Sequence, residues 1–224
     1  MKIELEQIIE PLLLSLKTVS CSAISLLLFG VPLAYLLSIK KLKFRWLLDS
    51  IVTLPLIFPP IAVGFFLLLL LGKNSFIGSF FAKFDIAFVF SFSGLVIAGF
   101  IAGLPLMVKP LQAAIELFPR EIKEASYISG KSQIRTLFYI ILPTIKNSLF
   151  AALLIATARA LGEVGITLML GGNIIGKTDT VSLAIYNAVF DGEHTLAMIL
   201  SAILIAISLM FFIMLHLLQK KDKI

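Results

Sequence analysis

The chain has 224 residues, of which 59% are hydrophobic and only 14% charged, and its mean hydropathy is +1.06. Soluble domains carry about 25% charged residues, so the composition excludes an ordinary soluble domain and favours an integral membrane protein. The net charge of +6 does not indicate a nucleic-acid partner, because the lysines and arginines occupy short connections between apolar runs. The single cysteine, Cys21, lies within an apolar run, so we expect a buried and inert thiol.

Five stretches of the chain are long and apolar enough to cross a membrane, which takes about 20 residues. The predicted spans are 13–39, 50–72, 86–110, 137–168 and 195–218. No internal repeat and no separate soluble segment is visible, so the inverted-repeat architecture of secondary transporters has little support. The predicted fold class is therefore all-α: a polytopic membrane helical bundle of about five transmembrane helices, forming a single domain over residues 1–224.

The lysines and arginines are distributed unevenly among the connections. They concentrate in 40–45, in 109–135 and after the last span, whereas the N-terminus and the connections 73–85 and 171–194 carry few. The positive-inside rule assigns the basic set to the cytoplasm. Five spans place the two sets on opposite sides without conflict, so we predict the N-terminus outside and the C-terminus in the cytoplasm.

The longest polar stretch runs from Arg120 to Pro143 and falls on the predicted cytoplasmic side. Pro119 and the acidic Glu121 favour the start of a helix, and Gly130 suits a left-handed cap at its end. We predict a short amphipathic helix at about 120–131. Its apolar stripe comprises Ile122, Ala125 and Ile128–Ser129. From the residues alone, this helix either lies on the lipid headgroups or docks onto a partner.

Two ionisable residues, Arg159 and Glu163, interrupt the fourth predicted span. They are four residues apart, so they share one helix face and can pair within the membrane. Ionisable groups at that depth normally face a bundle interior or an aqueous cavity. They therefore either frame a translocation path or its gate, or form a purely structural pair.

Prolines and glycines mark two of the other spans. Pro55, Pro59 and Pro60 break backbone hydrogen bonds within the second span, which predicts either a flexible helix beside a path, with Pro59 and Pro60 as candidate path residues, or a kink needed only for packing. Gly99 and Gly103 have the small-xxx-small spacing that allows close helix contact.

Motifs for enzyme chemistry are missing from the sequence. There is no phosphate-binding G-x-x-x-x-G-K-[ST] loop, no G-x-S-x-G, no H-E-x-x-H and no C-x-x-C. His194 and His216 are far apart and are predicted to lie on opposite sides of the membrane, so no metal site is expected. We expect no catalytic residues and no cofactor in this chain.

The polar stretch also carries a spaced pattern. Its members, in order, are Glu124-Ala125-Ser126, Gly130, Ile140 and Leu142-Pro143. The pattern resembles the E-A-A-x3-G-x9-I-x-L-P signature of ABC-importer permeases, with Ser126 replacing the second alanine. In that family the short helix is a cytoplasmic coupling helix that inserts into the ATP-hydrolysing subunit. The resemblance implies that Glu121, Glu124, Ala125, Ser126, Gly130 and Pro143 serve this coupling.

The resemblance extends over nearly the whole chain. Gly30–Leu37 and Leu54–Gly64 look like the first two spans of molybdate and sulfate permeases. Ala158–Gly165, followed by Gly172–Thr180, is similar to the molybdate branch. Val164 stands where an aromatic residue is more usual, so no role specific to an aromatic side chain is carried over.

The family implies a type I ABC importer permease fold in a bacterial or archaeal cytoplasmic membrane. It also implies the partners: a second permease copy, cytoplasmic ABC ATPase subunits that bind ATP and Mg, an extracytoplasmic oxyanion-binding protein and the lipid bilayer. The expected cargo is molybdate. A tungstate or sulfate permease, an ion-coupled secondary transporter with Glu163 as the coupling carboxylate, and a non-transporting membrane scaffold are the alternatives.

Overall fold

The computed structural model describes residues 5–40 and 42–220. These residues form helices joined by short connections, and no strand occurs among them. The helices are α1 (Glu6–Ser25), α2 (Val31–Ser38), α3 (Arg45–Ile57), α4 (Pro60–Leu71), α5 (Phe76–Ala82), α6 (Phe92–Leu117), α7 (Arg120–Ile128), α8 (Gln133–Thr136), α9 (Leu142–Thr144), α10 (Lys146–Leu161), α11 (Gly165–Gly171), α12 (Val181–Phe190) and α13 (His194–Lys220). The all-α prediction is confirmed.

Three continuous stretches of helix are long and apolar enough to cross a membrane, namely Glu6–Ser38, Phe92–Leu117 and His194–Leu218. Two further candidates are bent helix pairs: α4 with α5, at 55°, and α8–α9 with α10, at 82°. The count reaches five if each bent pair is one span.

The second and fourth predicted spans are not single helices. Residues 50–72 are divided between α3 and α4 at Phe58 and Pro59, whose backbones are extended with ψ of 150° and 130°. A residue that precedes proline is pushed out of the α region, so the Pro59-Pro60 pair accounts for this break. Residues 137–168 are divided at Ile145 and again after Leu161.

Two short π-helical turns each precede a proline in the next α-helix. Leu26–Gly30 leads into α2 with Pro32 in its first turn, and Leu137–Ile141 leads into α9 with Pro143 in its first turn. Proline lacks a backbone N–H and its ring clashes with the preceding turn, so the helix widens locally. The π-helical turn at Leu26–Gly30 does not interrupt the helix: it lies within the continuous stretch Glu6–Ser38.

Helix α6 runs through the centre of the bundle and packs against α1, α2, α3, α10 and α11. Its glycines allow the closest approaches. A Cβ atom at Gly99 would lie 2.6 Å from Ser22 Oγ, and one at Gly103 would lie 2.9 Å from the Ala156 carbonyl oxygen. The small-residue spacing therefore does place neighbouring helices in close contact. Cys21, expected to be buried, is only partly so.

Helix α13 lies on the outside of the bundle. Its beginning is anchored by Leu196, Ala197 and Leu200, which pack with Ala188 of α12. Farther along, its large apolar side chains are mostly exposed. An apolar groove of about 440 Å³ separates its last turns from α10.

Candidate functional site: a surface helix and a buried ion pair

The short helix α7 begins after Pro119 and ends at Ile128. Gly130 follows with φ of 80°, a left-handed conformation that glycine adopts without steric cost. The Lys131 N–H donates to the Ser126 carbonyl at 3.1 Å and the Gly130 N–H to the Tyr127 carbonyl at 2.9 Å, which closes the helix end in a Schellman-type cap. The local sequence thus fixes where this helix stops.

Two side chains attach α7 to the rest of the chain. Ser126 is buried and shares a 2.8 Å hydrogen bond with the buried Thr136 of α8. The Lys123 Nζ donates to the Ile115 carbonyl at the end of α6, at 2.8 Å, and lies over the Phe118 ring. Burial, with a smaller contribution from the neighbouring Arg120 charge, lowers the pKa of the Lys123 ammonium.

The remaining faces of α7 point away from the bundle. Glu121, Glu124 and Ala125 are exposed. The apolar stripe is exposed as well, with Ile122 at 47% and Ile128 at 88%. A Cβ atom at Gly130 would meet nothing within 4 Å. An amphipathic helix that turns its apolar stripe outward is available to a lipid or protein partner.

Pro143 of the signature lies on a different element from the residues of α7. It is exposed and belongs to α9, beyond the π-helical turn at Leu137–Ile141. The signature is therefore split between the surface helix and the bend that leads into α10.

Ion pairs join α3 to α6 on the side of the molecule where α6 leads into α7. Arg45 Nη2 lies 2.7 Å from Glu116 Oε1, and Lys109 Nζ pairs with Asp49. Gln112 Nε2 also donates to Glu116, at 3.0 Å. The sequence offered no signal for these pairs, because the partners are 71 and 60 residues apart.

Arg159 and Glu163 do pair, with Nη1 and Oε2 2.6 Å apart. They do not share one helix face, because α10 ends at Leu161 and Gly162 follows it. The Glu163 side chain is 1% exposed, that of Arg159 38%. The other carboxylate oxygen of Glu163 accepts a 2.9 Å hydrogen bond from the Ile166 N–H. Glu163 thus ties the end of α10 to the first turn of α11.

The proline break lies against the first residue of α11, Gly165, which is two residues after Glu163. A Cβ atom at Gly165 would lie 2.9 Å from Cβ of Pro60, and one at Gly64 would lie 2.8 Å from Met169 Cβ and 2.9 Å from Ile166 Cα. Two glycines, one on each helix, therefore let α4 and α11 touch along their backbones. Pro60 is half-buried at this contact, whereas Pro59 is exposed.

A row of buried hydroxyls on α1 was missed at the level of sequence. Ser15, Thr18 and Ser22 are each at most 6% exposed. Ser15 Oγ accepts from the Val181 N–H at 2.9 Å, and Ser22 Oγ donates to the Val96 carbonyl at 3.1 Å. Their spacing of three and four residues marks one helix face, which was the available signal.

An acidic cleft of about 230 Å³ lies where α1 meets the connections around α12. Its carboxylates are Glu6, Glu10, Asp179, Asp191 and Glu193. Burial raises the pKa of the Asp179 carboxyl, although backbone N–H groups bonded to it act in the opposite direction. Among residues 5–40 and 42–220, no group of three or more His, Cys, Asp or Glu side chains is arranged to hold a metal ion.

Known proteins resemble this chain both in sequence and in structure. Residues 27–222 match the family described as "Binding-protein-dependent transport system inner membrane component". A crystal structure of an amino acid ABC transporter superimposes with a TM-score of 0.61 at 17% identity, covering 99% of this chain and all of that one. The fold is that of the type I ABC importer permeases. The chain belongs to the family of binding-protein-dependent transport system inner membrane components.

Relatives of this chain include permease proteins of molybdenum and sulfate transport systems. The chain is 36% identical to the molybdenum transport system permease protein ModB of Escherichia coli K12, over 80% of this chain and 79% of ModB. It is 36% identical to the probable transport system permease protein NifC of Clostridium pasteurianum, over 82% of this chain but only 64% of NifC. It is 28% identical to the sulfate transport system permease protein CysT of Salmonella typhimurium, over 86% of this chain and 70% of CysT.

Proposed function

We propose that this chain is the membrane-spanning subunit of an ATP-driven importer that carries molybdate across the cytoplasmic membrane. One observation carries the proposal: α7 has the permease signature, is fixed to the bundle by Ser126 and Lys123, and turns its apolar stripe outward. A cytoplasmic ATPase subunit that binds ATP and Mg docks on this stripe. The surface of α7 that contacts the ATPase is formed by Glu121, Glu124, Ala125 and Gly130. Pro143 shapes the bend that leads into α10.

The proposal includes two further partners and an orientation. A second copy of the chain completes the translocation path, and an extracytoplasmic oxyanion-binding protein delivers the anion. The N-terminus is outside and the C-terminus is cytoplasmic, which puts α7 on the same side as the ATPase. The basic connections that flank α7 support this orientation.

Helices that touch one another or follow one another in the chain lead from α7 to the ion pair at Glu163. Lys123 joins α7 to α6, the pairs Arg45–Glu116 and Asp49–Lys109 join α6 to α3, and the glycine contact joins α4 to α11. We propose that ATPase closure moves α7 and that the movement reaches Arg159–Glu163 through these elements. Arg159, Glu163, Pro59 and Pro60 would then act in gating. The coupling elements would then have two stable arrangements, and nucleotide bound to the ATPase would favour one of them.

Molybdate is favoured over sulfate because molybdenum permeases match at 32–36% identity and sulfate permeases at 28%. Tungstate has the same tetrahedral shape and charge, so it is a competing cargo.

An ion-coupled secondary transporter is disfavoured, because both carboxylate oxygens of Glu163 already have partners in Arg159 and the Ile166 N–H. A free carboxylate would be needed for ion coupling.

The test is reconstitution of the chain in liposomes with its ATPase and binding protein, followed by uptake of radiolabelled molybdate. Uptake should require ATP and the binding protein, and unlabelled tungstate and sulfate should be added as competitors. Uptake by this chain alone, without ATP, would overturn the proposal. Stronger competition by sulfate than by unlabelled molybdate would reassign the cargo.

The docking role of α7 is tested by Gly130→Asp and Glu124→Arg. Each should lower uptake by about tenfold or more, equivalent to about 1.4 kcal/mol of lost interaction, while the chain still inserts. Gly192→Asp is the matched control, because Gly192 has φ of 75° and equally open space but lies far along the chain. Unchanged uptake in both α7 variants would remove α7 from the coupling.

A further inference from the structure

A small cavity is lined by Glu163 and lies between α1, α11 and the segment that leads into α12. Its volume is about 10 Å³. The polar side chains that line it are Ser15, Thr18, Glu163, Thr167 and Thr180. All five are at least nine-tenths buried. The cavity therefore has both polar and apolar walls, and its polar side chains are buried in an apolar bundle.

Two of these hydroxyls, Thr18 Oγ1 and Thr180 Oγ1, are buried and have no hydrogen-bond partner among residues 5–40 and 42–220. Helical hydroxyls elsewhere in the chain bond the carbonyl four residues back, as Ser25 does with Cys21 and Thr157 with Leu153. Thr18 does not make this local bond. A buried hydroxyl without a partner costs about 1–3 kcal/mol, so native proteins seldom leave two in the lining of one cavity.

We infer that this cavity binds one water molecule, which bridges Thr18 Oγ1, Thr180 Oγ1 and the Glu163 carboxylate. A volume of about 10 Å³ is what a single water needs, and a buried water typically makes two to four hydrogen bonds. The water accepts from one threonine hydroxyl and donates to the other and to Glu163, whose carboxylate has lone pairs left after the bonds to Arg159 and Ile166.

Other occupants fit the pocket less well. A tetrahedral oxyanion is far too large and would face the Glu163 charge. A monovalent cation has the right size, but the charge of Glu163 is already balanced by Arg159 at 2.6 Å, and a second cation would be repelled. Water is neutral and supplies both the donor and the acceptor that the two hydroxyls require.

The bound water has a structural consequence. Thr18 is on α1, Thr180 immediately precedes α12, and Glu163 joins α10 to α11. One water therefore connects three segments that are far apart in the sequence, beside the direct bond from the Val181 N–H to Ser15. This inference does not rest on the proposed transport function.

The direct test is a cryo-electron microscopy map of the purified full-length chain in its complex, at a resolution that shows ordered water. Density is expected within hydrogen-bond distance of Thr18 Oγ1 and Thr180 Oγ1. It should disappear in the Thr18→Val/Thr180→Val variant, in which each side chain keeps its shape and loses its hydroxyl. A map in which the two hydroxyls bond protein atoms directly, with no density between them, would overturn the inference.

Thermal melting gives a second measurement that needs no map. Thr18→Val and Thr180→Val should each lower the melting temperature by about 2–4 °C, and Thr18→Ser should not. The double variant should melt close to the lower of the two single variants, because both substitutions remove the same water. Additive shifts would contradict a shared water, and melting that depends on Na⁺ relative to choline would identify a cation instead.

Discussion

Ser126 and Thr136 form the only hydrogen bond between side chains of α7 and α8 among residues 5–40 and 42–220, at 2.8 Å. Thr136 donates its single hydroxyl hydrogen to the Ser132 carbonyl at 3.0 Å, so Ser126 is the donor in the pair. The signature's second alanine is replaced by a residue that reaches back into the bundle. The replacement therefore adds an attachment for the surface helix.

Thr136→Val should loosen this attachment more than Ser126→Ala does. The valine leaves the buried Ser126 hydroxyl without an acceptor, at a cost of about 1–3 kcal/mol, whereas Ser126→Ala leaves Thr136 still bonded to the Ser132 carbonyl. Thermal melting of the purified chain measures the difference. The double variant should be less destabilised than the sum of the two, and strict additivity would show that the bond contributes nothing.

Gly64→Ala and Gly165→Ala should each push α4 away from α11. The new methyl groups would lie under 3.0 Å from backbone atoms of Ile166 and Ile61, respectively. Overpacking of this kind costs about 1–3 kcal/mol, which melting temperatures will register. Gly162→Ala is the control, since its nearest neighbour would be 3.9 Å away. Equal effects at all three positions would mean that helix propensity, and not the close contact, sets the stability.

Arg159→Leu should destabilise the chain more than Glu163→Gln. The leucine leaves a carboxylate that is 1% exposed without its charged partner, at a cost of about 3–5 kcal/mol. Glutamine keeps an oxygen that accepts from the Ile166 N–H, and the only group left without its charged partner is Arg159, which is 38% exposed and not buried. Denaturant or thermal unfolding of both variants gives the ranking. The reverse order would mean that the charge of Glu163 is itself unfavourable in the fold.

Reversing the charge of Asp49 or Lys109 alone should impair ATP-dependent uptake, because α3 and α6 would then repel each other. Asp49→Lys combined with Lys109→Asp restores opposite charges and should recover most of the uptake. Both side chains are partly exposed, so the effect on stability itself should be under about 1 kcal/mol. A double variant as defective as either single variant would exclude a role for this pair in coupling.

The parts of the fold that depend on nearby residues were open to prediction from sequence. The all-α class follows from the length of the apolar runs, and the end of α7 follows from Gly130, whose φ of 80° few other residues tolerate. The Arg159–Glu163 pair was predicted from its spacing and does form. The geometry of this pair was not predicted, because α10 ends just before Gly162, between the two residues.

The parts that depend on distant residues were not open to prediction. No local pattern says that Asp49 meets Lys109, or that the α1 hydroxyl of Ser15 accepts from the Val181 N–H 166 residues away. The 82° bend at Ile145 lies in a segment that was predicted as one span although Lys146 interrupts it. Such features arise from tertiary packing, which a single sequence does not encode locally.

Helix α13 makes the bilayer a structural component of this chain. Only 6% of its apolar window is buried against the protein, and its last turns are separated from α10 by the groove lined by Phe150 and Met214. Within one chain, these turns are therefore surrounded by lipid and are not stabilised by packing against other side chains. When detergent replaces lipid, backbone amide hydrogens should exchange first near Leu217 and last near Leu200, so α13 would fray from its C-terminal end while the core around α6 stays protected.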